Sequence, residues 1–478
     1  MSFDHIRTRI APSPTGIAHV GTLYIALFNY AFAKQQGGEF IVRSEDTDRS
    51  RYVEGAEQVV LDALHWAGIK SDEDVEQGGP YGPYRQSERL EIYQQYIQQL
   101  LDEGKAYYCF ATPDELKEMR AKQQAAGLPP KYDGRYRDYP LDQALERVKA
   151  GESYVIRLRV PEGETTWNDL IRGEVTISHQ QIDDQVLIKS DGYPTYHFAV
   201  VVDDHLMKIS HVIRGEEWIS STPKHILLYE MLDWDLPEFA HMPLLRNPDK
   251  SKLSKRKNDV SVVSYQEKGY LPEALLNFLM LLGWSHPDKR EIISLPEFVN
   301  DFTMERMQKT GPIFDTEKLN WMNGKYIREE LTELELQERL RPFLPADYPA
   351  ELFPQVLPLV RERLVTLADI ANLTGFFYQP IAVDPTLLVK KSTPEQVSEQ
   401  LSITLEALES LAEWSVQAIE ESLRSLQEKH EWKKSQYFMM VRVAVTGRKA
   451  TPPLFETVAV VGRERTVERL RAARTQLQ

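Results

Sequence analysis

A single cysteine, Cys109, stands in a chain of 478 residues. No internal disulfide framework is available to it, and one thiol suits a reducing cytoplasm, the expected compartment. Long apolar runs are missing too. No segment is long and apolar enough to span a bilayer, and the polar start Ser2-Phe3-Asp4-His5 does not read as a secretory signal, so no membrane partner is expected. Two common nucleotide fingerprints are absent: the Gly-x-x-x-x-Gly-Lys-Ser/Thr loop, and the Gly-x-Gly-x-x-Gly turn after a strand. P-loop ATPase and dehydrogenase readings lose support accordingly. There is no internal repeat and no low-complexity tract. Positive charge is in deficit, and a net charge of −15 argues against a protein that coats nucleic acid nonspecifically.

What remains is the composition of an ordinary globular protein, 42% hydrophobic and 27% charged, with room for about three or four domains. The most informative stretch runs from Pro12 to Thr22. It follows the extended run Ile6–Ala11 and leads into the apolar run Leu23–Phe32, an order that reads strand, turn, helix. Two prolines keep the turn extended, and Gly16 lets it bend. His19 and Gly21 then fall where the helix begins. Backbone N–H groups at a helix start lack partners and favour a phosphate, and a histidine there can donate to a phosphate oxygen.

A second stretch is Asp249-Lys250-Ser251-Lys252-Leu253-Ser254-Lys255-Arg256-Lys257, which follows a short apolar run and a turn. As a basic run it can be a solvated loop. Its alternative use is a polyphosphate whose charge grows as a bond breaks. A lysine about 4 Å from a phosphate oxygen supplies on the order of 4 kcal/mol of attraction at a surface-like dielectric, before desolvation. Such stabilisation of a leaving pyrophosphate needs no covalent step.

The texture along the chain changes several times. Residues 1–108 alternate strand-like runs (Glu39–Arg43) with helical ones (Ala56–Trp66, Arg89–Glu103), an α/β start with a parallel sheet. Residues 109–190 hold a helix, Thr112–Ala126, and then alternating segments, Ser153–Arg159 and Gly173–Ile177, that read as antiparallel strands. Sheet-like α/β texture returns at 191–245. A segment 246–328 carries the lysine loop and is mostly helical beyond it, from 258 to about 325, and from 329 onward the pattern is helical throughout, with a hinge expected at 380–393 between modules 329–380 and 381–478. The fold class expected is α/β: a Rossmann-like parallel-sheet domain split by an α+β insert and followed by an all-α C-terminal region.

His19-Val20-Gly21-Thr22 and Lys252-Leu253-Ser254-Lys255-Arg256 resemble the two signatures of class I aminoacyl-tRNA synthetases. Longer stretches are similar to bacterial glutamyl-tRNA synthetases: Arg9–Gly16, Arg43–Asp48, Gly82–Arg89, Ser190–His197, Val201–His205, Val212–Trp218 and Leu319–Ile327. They cover the first two thirds densely and the last third diffusely. A helical anticodon region, rather than a β-barrel, matches the bacterial glutamyl type. Its presence argues against the short paralogue that lacks one. A tRNA-free adenylating enzyme would need neither the insert nor the tail, and a dead relative would be expected to lose His19 or Lys255.

The resemblance implies a ligase that activates L-glutamate with ATP and transfers it to tRNA(Glu), with Mg²⁺ accompanying ATP and activation requiring bound tRNA. A monomer is expected. The insert would hold the tRNA acceptor end, 246–328 would contact the stem, and the two helical modules would read the anticodon. Arg9 and Arg214 match the arginines that meet the two carboxylates, with Arg9 preferred for the side-chain carboxylate and the ends left open. Glu45 matches the acid that meets the ammonium. Ala11 and Ser13 line the same wall, with Tyr196 opposite. Glu217 is placed at the ribose and Leu245 at adenine. His19, Gly21 and Thr22 meet the phosphates, and Lys252, Ser254, Lys255 and Arg256 close over them. Arg361 and Arg363 lie where relatives read the anticodon. Lys117, Arg120, Lys122, Arg135, Arg137 and Arg172 are further candidates to touch RNA.

Two departures stand out. Ala111, Tyr136 and Asp138 occupy positions where some relatives place zinc ligands, and Cys109 alone cannot build a tetrahedral site, so no zinc is expected. Val200 stands where some relatives have an asparagine that faces substrate.

Overall fold

The computed structural model describes residues 5–48, 50–253, 259–390 and 392–477. Lys255, Ser254 and Arg256 therefore lie outside the described residues. The chain forms two compact units, Met1–Tyr265 with Pro272–Thr316, and Gln266–Leu271 with Glu317–Gln478.

In the first unit, β1 (Arg7–Ile10) leads through the proline turn into α1 (Val20–Gln35), and β2 (Glu39–Val42) returns parallel to β1, with Arg9 opposite Ile41. Helices α2 (Ala56–Trp66) and α3 (Leu90–Asp102) follow. The second helical run thus begins one residue later than expected, because Gln86–Arg89 form a 3-10 turn before it. Next come β3 (Ala106–Cys109), α4 (Pro113–Ala125), α5 (Leu141–Lys149), β4 (Val155–Leu158), the hairpin strands β5 (Glu164–Asp169) and β6 (Gly173–Ser178), and β7 (Val186–Ile188). The unit continues with α6 (Tyr196–Leu206), β8 (His211–Gly215), α7 (Thr222–Met231) and β9 (Glu238–Met242).

β8 and β9 pair in parallel, with Arg214 opposite His241. Ser210, just before β8, donates its N–H to the Arg7 carbonyl at 3.0 Å, which ties the two parallel pairs together. Between them in sequence, β3, β4 and β7 form a three-stranded antiparallel sheet. The strand order β6-β5-β9-β8 shows that the β5–β6 hairpin joins the sheet of β8 and β9. Strands β3, β5, β7 and β9 carry too little alternation to be read singly. Their apolar sides are completed by distant partners, as Val200, Val201 and Val202 of α6 pack against Leu158 and Leu187.

Local choices agree with these elements. Thr112 and Glu115 form a capping box at the start of α4, and Pro113 fills the first helical position. On α1, Asn29 donates its amide to the carbonyls of Ile25 and Ile213, at 2.9 and 3.0 Å, so one buried side chain ties the helix to β8.

The second unit is helical, with no strand among its described residues. Capping boxes at Thr332/Glu335 and Thr393/Gln396 start two of its helices. The stretch expected to be a hinge carries a short helix, Pro385–Val389, capped by Asp384.

Candidate active site

One cavity of about 830 Å³ gathers most of the residues singled out from the sequence: Arg9, Ala11, Ser13, His19, Gly21, Thr22, Glu45, Tyr196, Arg214, Glu217, Leu245 and Lys252. That volume suits a ligand the size of an aminoacyl nucleotide. Arg361 and Arg363 belong to the other unit. Arg361 donates through Nη2 to the carbonyls of Arg328 and Leu331, at 2.9 and 2.6 Å, while Arg363 is exposed.

At the phosphate end, His19 is the N-cap of α1. Its Nδ1 accepts from the Gly21 N–H at 2.9 Å. That bond makes Nδ1 the acceptor, so the ring satisfies one helix-end donor. A Cβ at Gly21 would stand 3.0 Å from His19 Nδ1, so the glycine leaves the capping ring its place. The segment after the lysine loop lies alongside: Val20 donates to the Val260 carbonyl at 2.7 Å, and Val262 to Ala18 at 2.9 Å. Before the loop, Leu253 donates to Leu245 at 3.0 Å. Both described flanks of the loop are thus tied to the cavity wall. Lys252 is exposed and its Nζ lies 3.5 Å from Glu217 Oε1.

The other end is a buried charge network. Asp204 on α6 takes Arg9 through Nε and Nη2, at 3.0 and 2.9 Å, and Arg43 at 2.9 Å. Its neighbour Asp203 takes Arg89 at 2.7 Å, Gln86 at 2.9 Å and Tyr93 at 2.8 Å. The two aspartates hold three buried guanidinium groups, and Nη1 of Arg9 is not engaged by Asp204.

Arg214 differs. It is 5% exposed, and its donors go to neutral acceptors: Nε to His241 Nε2 at 3.1 Å, Nη1 to His225 Nδ1 at 3.0 Å, and Nη2 to Thr222 Oγ1 at 2.9 Å. Among the described residues no carboxylate is a hydrogen-bond partner, and burial lowers its pKa against the weaker pull of Tyr196 and Asp204. A buried charge without a counter-ion is costly, so this group calls for an anionic ligand.

Glu45 is its complement. Its Oε1 is buried without a hydrogen-bond partner, and the nearest cation, Arg43, is 3.8 Å away. Burial pushes its pKa up to about 8, against the pull of Arg43 and Arg9. A buried carboxyl left short of donors is a place for an ammonium. Tyr196 stands at the same wall with its ring 4.4 Å from that of Trp218.

The sequence motifs miss His225, His241, Thr222 and Asp169, and they contain Asp204, in Val201–His205, without giving it a role. Asp203 and Asp204 had one usable signal: two acids at the end of the apolar run Phe198–Val202 require buried cations. Val200 is fully buried with its α6 neighbours and does not line the cavity.

At the expected zinc position, Cys109 donates to the Tyr132 hydroxyl at 3.3 Å, and the Arg157 guanidinium lies 3.9 Å over the Tyr132 ring. Tyr107 and Met119 complete an apolar cluster there. Asp138 pairs with Arg159 at 3.0 Å. Among the described residues, no group of acids, histidines and cysteine could hold a metal ion, and no helix is long and apolar enough to cross a membrane.

A parallel sheet with a histidine-capped first helix, Lys252 at the same cavity and a helical second unit agree with the class I tRNA synthetases that the sequence resembles. Residues 5–321 match the catalytic domain of class I tRNA synthetases (E and Q), and residues 335–474 match an anticodon-binding domain. A glutamate--tRNA ligase of Marinomonas sp. is 48% identical over 98% of this chain and 95% of its own, and one of Acidothermus cellulolyticus is 49% identical over the same shares. The crystal structure of a glutamate tRNA ligase from Elizabethkingia meningosepticum, in complex with its amino acid, covers 99% of the chain and 100% of its own, with a TM-score of 0.88 at 37% identity. The chain belongs to the glutamate--tRNA ligases, class I aminoacyl-tRNA synthetases.

Proposed function

We propose that the cavity activates L-glutamate with ATP and passes the glutamyl group to tRNA(Glu). The reading rests chiefly on one juxtaposition: Arg214, buried without a counter-ion, shares a cavity with Glu45, a buried carboxyl without a donor. Glutamate supplies a carboxylate to Arg214, the other carboxylate to Arg9, and an ammonium to Glu45. Glutamine carries one carboxylate fewer, and where Arg214 meets the side-chain carboxylate it would leave that buried guanidinium without an anion, since of the two arginines only Arg9 is already paired, with Asp204. Ala11, Ser13 and Tyr196 shape the wall.

ATP lies with adenine at Leu245, ribose at Glu217 and phosphates at His19, Gly21 and Thr22. Lys252, Ser254, Lys255 and Arg256 close over the phosphates. The glutamate α-carboxylate attacks the α-phosphorus in line, the bond to the β,γ-pyrophosphate breaks, and the terminal ribose hydroxyl of tRNA then takes the acyl group and releases AMP. Positioning and electrostatics carry both steps, so no covalent nucleophile is required. Mg²⁺ would enter with the nucleotide and neutralise polyphosphate charge, with His19, Thr22 and Lys252 meeting the remaining phosphate oxygens.

His19→Asn separates the two tasks of His19. Asparagine keeps an N-cap acceptor, so thermal stability stays near wild type, while loss of the ring N–H lowers kcat about 100-fold in pyrophosphate exchange.

We further propose that residues 109–190 hold the acceptor end, 246–328 the stem, and 329–380 and 381–478 the anticodon. Arg363 is better placed than Arg361 to touch RNA, because Arg361 is engaged with backbone carbonyls. The protein acts as a cytoplasmic monomer without zinc. All described cavity residues come from one compact unit, and Tyr132 and Met119 pack against Cys109 where some relatives bind zinc. Metal analysis of pure protein is expected to find zinc well below one equivalent. The deciding experiment is aminoacylation with glutamate or glutamine against separate glutamate and glutamine tRNAs. Charging of tRNA(Glu) with glutamate is expected, and charging with glutamine alone would overturn the reading.

A further inference from the structure

The three contacts that hold Arg214 lead outward along two chains of hydrogen bonds. An arginine has only N–H groups to offer, so each imidazole facing it must present a lone pair. His241 does so at Nε2, which puts its proton on Nδ1, and Nδ1 meets Asp169 Oδ2 with both side chains fully buried. Asp169 is itself held at Oδ1 by the backbone N–H groups of Ile171 at 3.1 Å, Arg172 at 2.9 Å and His241 at 3.2 Å. On the other side, His225 presents Nδ1 to Arg214 and donates from Nε2 to His197 Nδ1 at 3.0 Å. Burial favours the neutral form of both histidines that face Arg214.

A carboxylate in place of either imidazole would give the guanidinium a permanent counter-ion, as Asp204 gives Arg9. A neutral imidazole fixes its position and leaves its charge for an incoming carboxylate. Asp169 keeps His241 in the one tautomer that can accept from Arg214. With the proton on Nε2, two N–H groups would face each other at 3.1 Å. We infer that His241, oriented by Asp169, is a positioning residue for glutamate, which presents Arg214 to the substrate carboxylate as an uncompensated cation. The inference rests on the reading that Arg214 meets a glutamate carboxylate.

The test is steady-state aminoacylation by the full-length enzyme, with glutamate and ATP varied separately. His241→Asn keeps a donor near Asp169 and removes the acceptor from Arg214. It is expected to raise KM for glutamate at least tenfold while kcat and KM for ATP move by less than about twofold. Asp169→Asn is expected to do the same, because the amide N–H favours the other tautomer of His241. His241→Gln places Oε1 near the position of Nε2. Its KM for glutamate is expected to stay within about threefold of wild type, at some cost in thermal stability.

The inference is overturned if His241→Asn leaves KM for glutamate within twofold of wild type, or raises both KM values together. It is also overturned if His241→Gln is as defective toward glutamate as His241→Asn. If His241→Asn does not fold, Asp169→Asn decides by the same readouts, and failure of both to fold marks the pair as structural and overturns the inference. Arg214→Ala separates the two levels. If it leaves KM for glutamate unchanged, the reading of the site itself fails. If it raises KM and His241→Asn does not, only the present inference fails.

Discussion

Arg214→Ala is expected to lose about 1000-fold in kcat/KM for glutamate, roughly 4 kcal/mol, the size of a buried charge-assisted contact that has lost one partner. KM for ATP should move by less than about threefold. The asymmetry follows from the proposed arrangement: Tyr196 neighbours both Arg214 and Glu45, whereas His19 and Leu245 are the residues proposed to meet the nucleotide. The folded state should tolerate the change, because it removes a buried cation that has no anionic partner. Pyrophosphate exchange with tRNA present, at varied glutamate and then varied ATP, is the measurement. Unchanged glutamate saturation would remove Arg214 from the substrate.

Glu45→Gln is expected to have the second largest effect, and of opposite sign on activity and stability. Without the carboxylate the substrate ammonium has no counter-charge, and kcat/KM for glutamate should fall about 100-fold or more. Stability should rise. The carboxyl titrates at about 8 in the fold and near the ordinary carboxylate value when unfolded. Between these values the folded chain binds the extra proton, so wild-type stability falls as pH rises through that window. Glutamine carries no such titration. Its advantage in unfolding free energy should be small near pH 5 and grow toward pH 8, reaching on the order of a few kcal/mol, and is read as a pH-dependent gap between the two Tm values. The same carboxyl sets a pH dependence on binding. Below pH 8 glutamate must displace a proton, so wild-type affinity should strengthen by up to about tenfold per pH unit from pH 6 and then level off. Calorimetry in buffers of different ionisation enthalpy reads that proton directly.

The sequence was legible where chemistry is local. The strand, proline turn and capping histidine lie within residues 7–20, so their order alone placed His19 at a helix start. Glu45 and Arg214 could be matched from short motifs. What stayed hidden is pairing across the chain. Asp204 lies 195 residues from Arg9, and Asp169 lies 72 from His241. Nothing in the spacing of such residues says that they meet, because the sheet, rather than the helix or turn, brings them together. For the same reason the difference between Arg9 and Arg214 was invisible. Both read as substrate arginines, and only their partners show that Arg9 already has a counter-ion. β6 was read from its own alternation, whereas β5 was obscured because half of it is exposed and one of its two neighbours is the distant β9.

That hairpin matters for any attempt to exchange parts between relatives. A chimera cut at residues 109 and 190 would import β5 together with the segment proposed to hold the acceptor end, and so replace Asp169 beneath His241. A donor with a different residue at that position would weaken glutamate recognition even if it docked tRNA perfectly. Junctions placed to leave residues 164–178 with the recipient would keep the amino-acid site intact, so the seam for recombination follows the sheet order rather than the linear order of the chain.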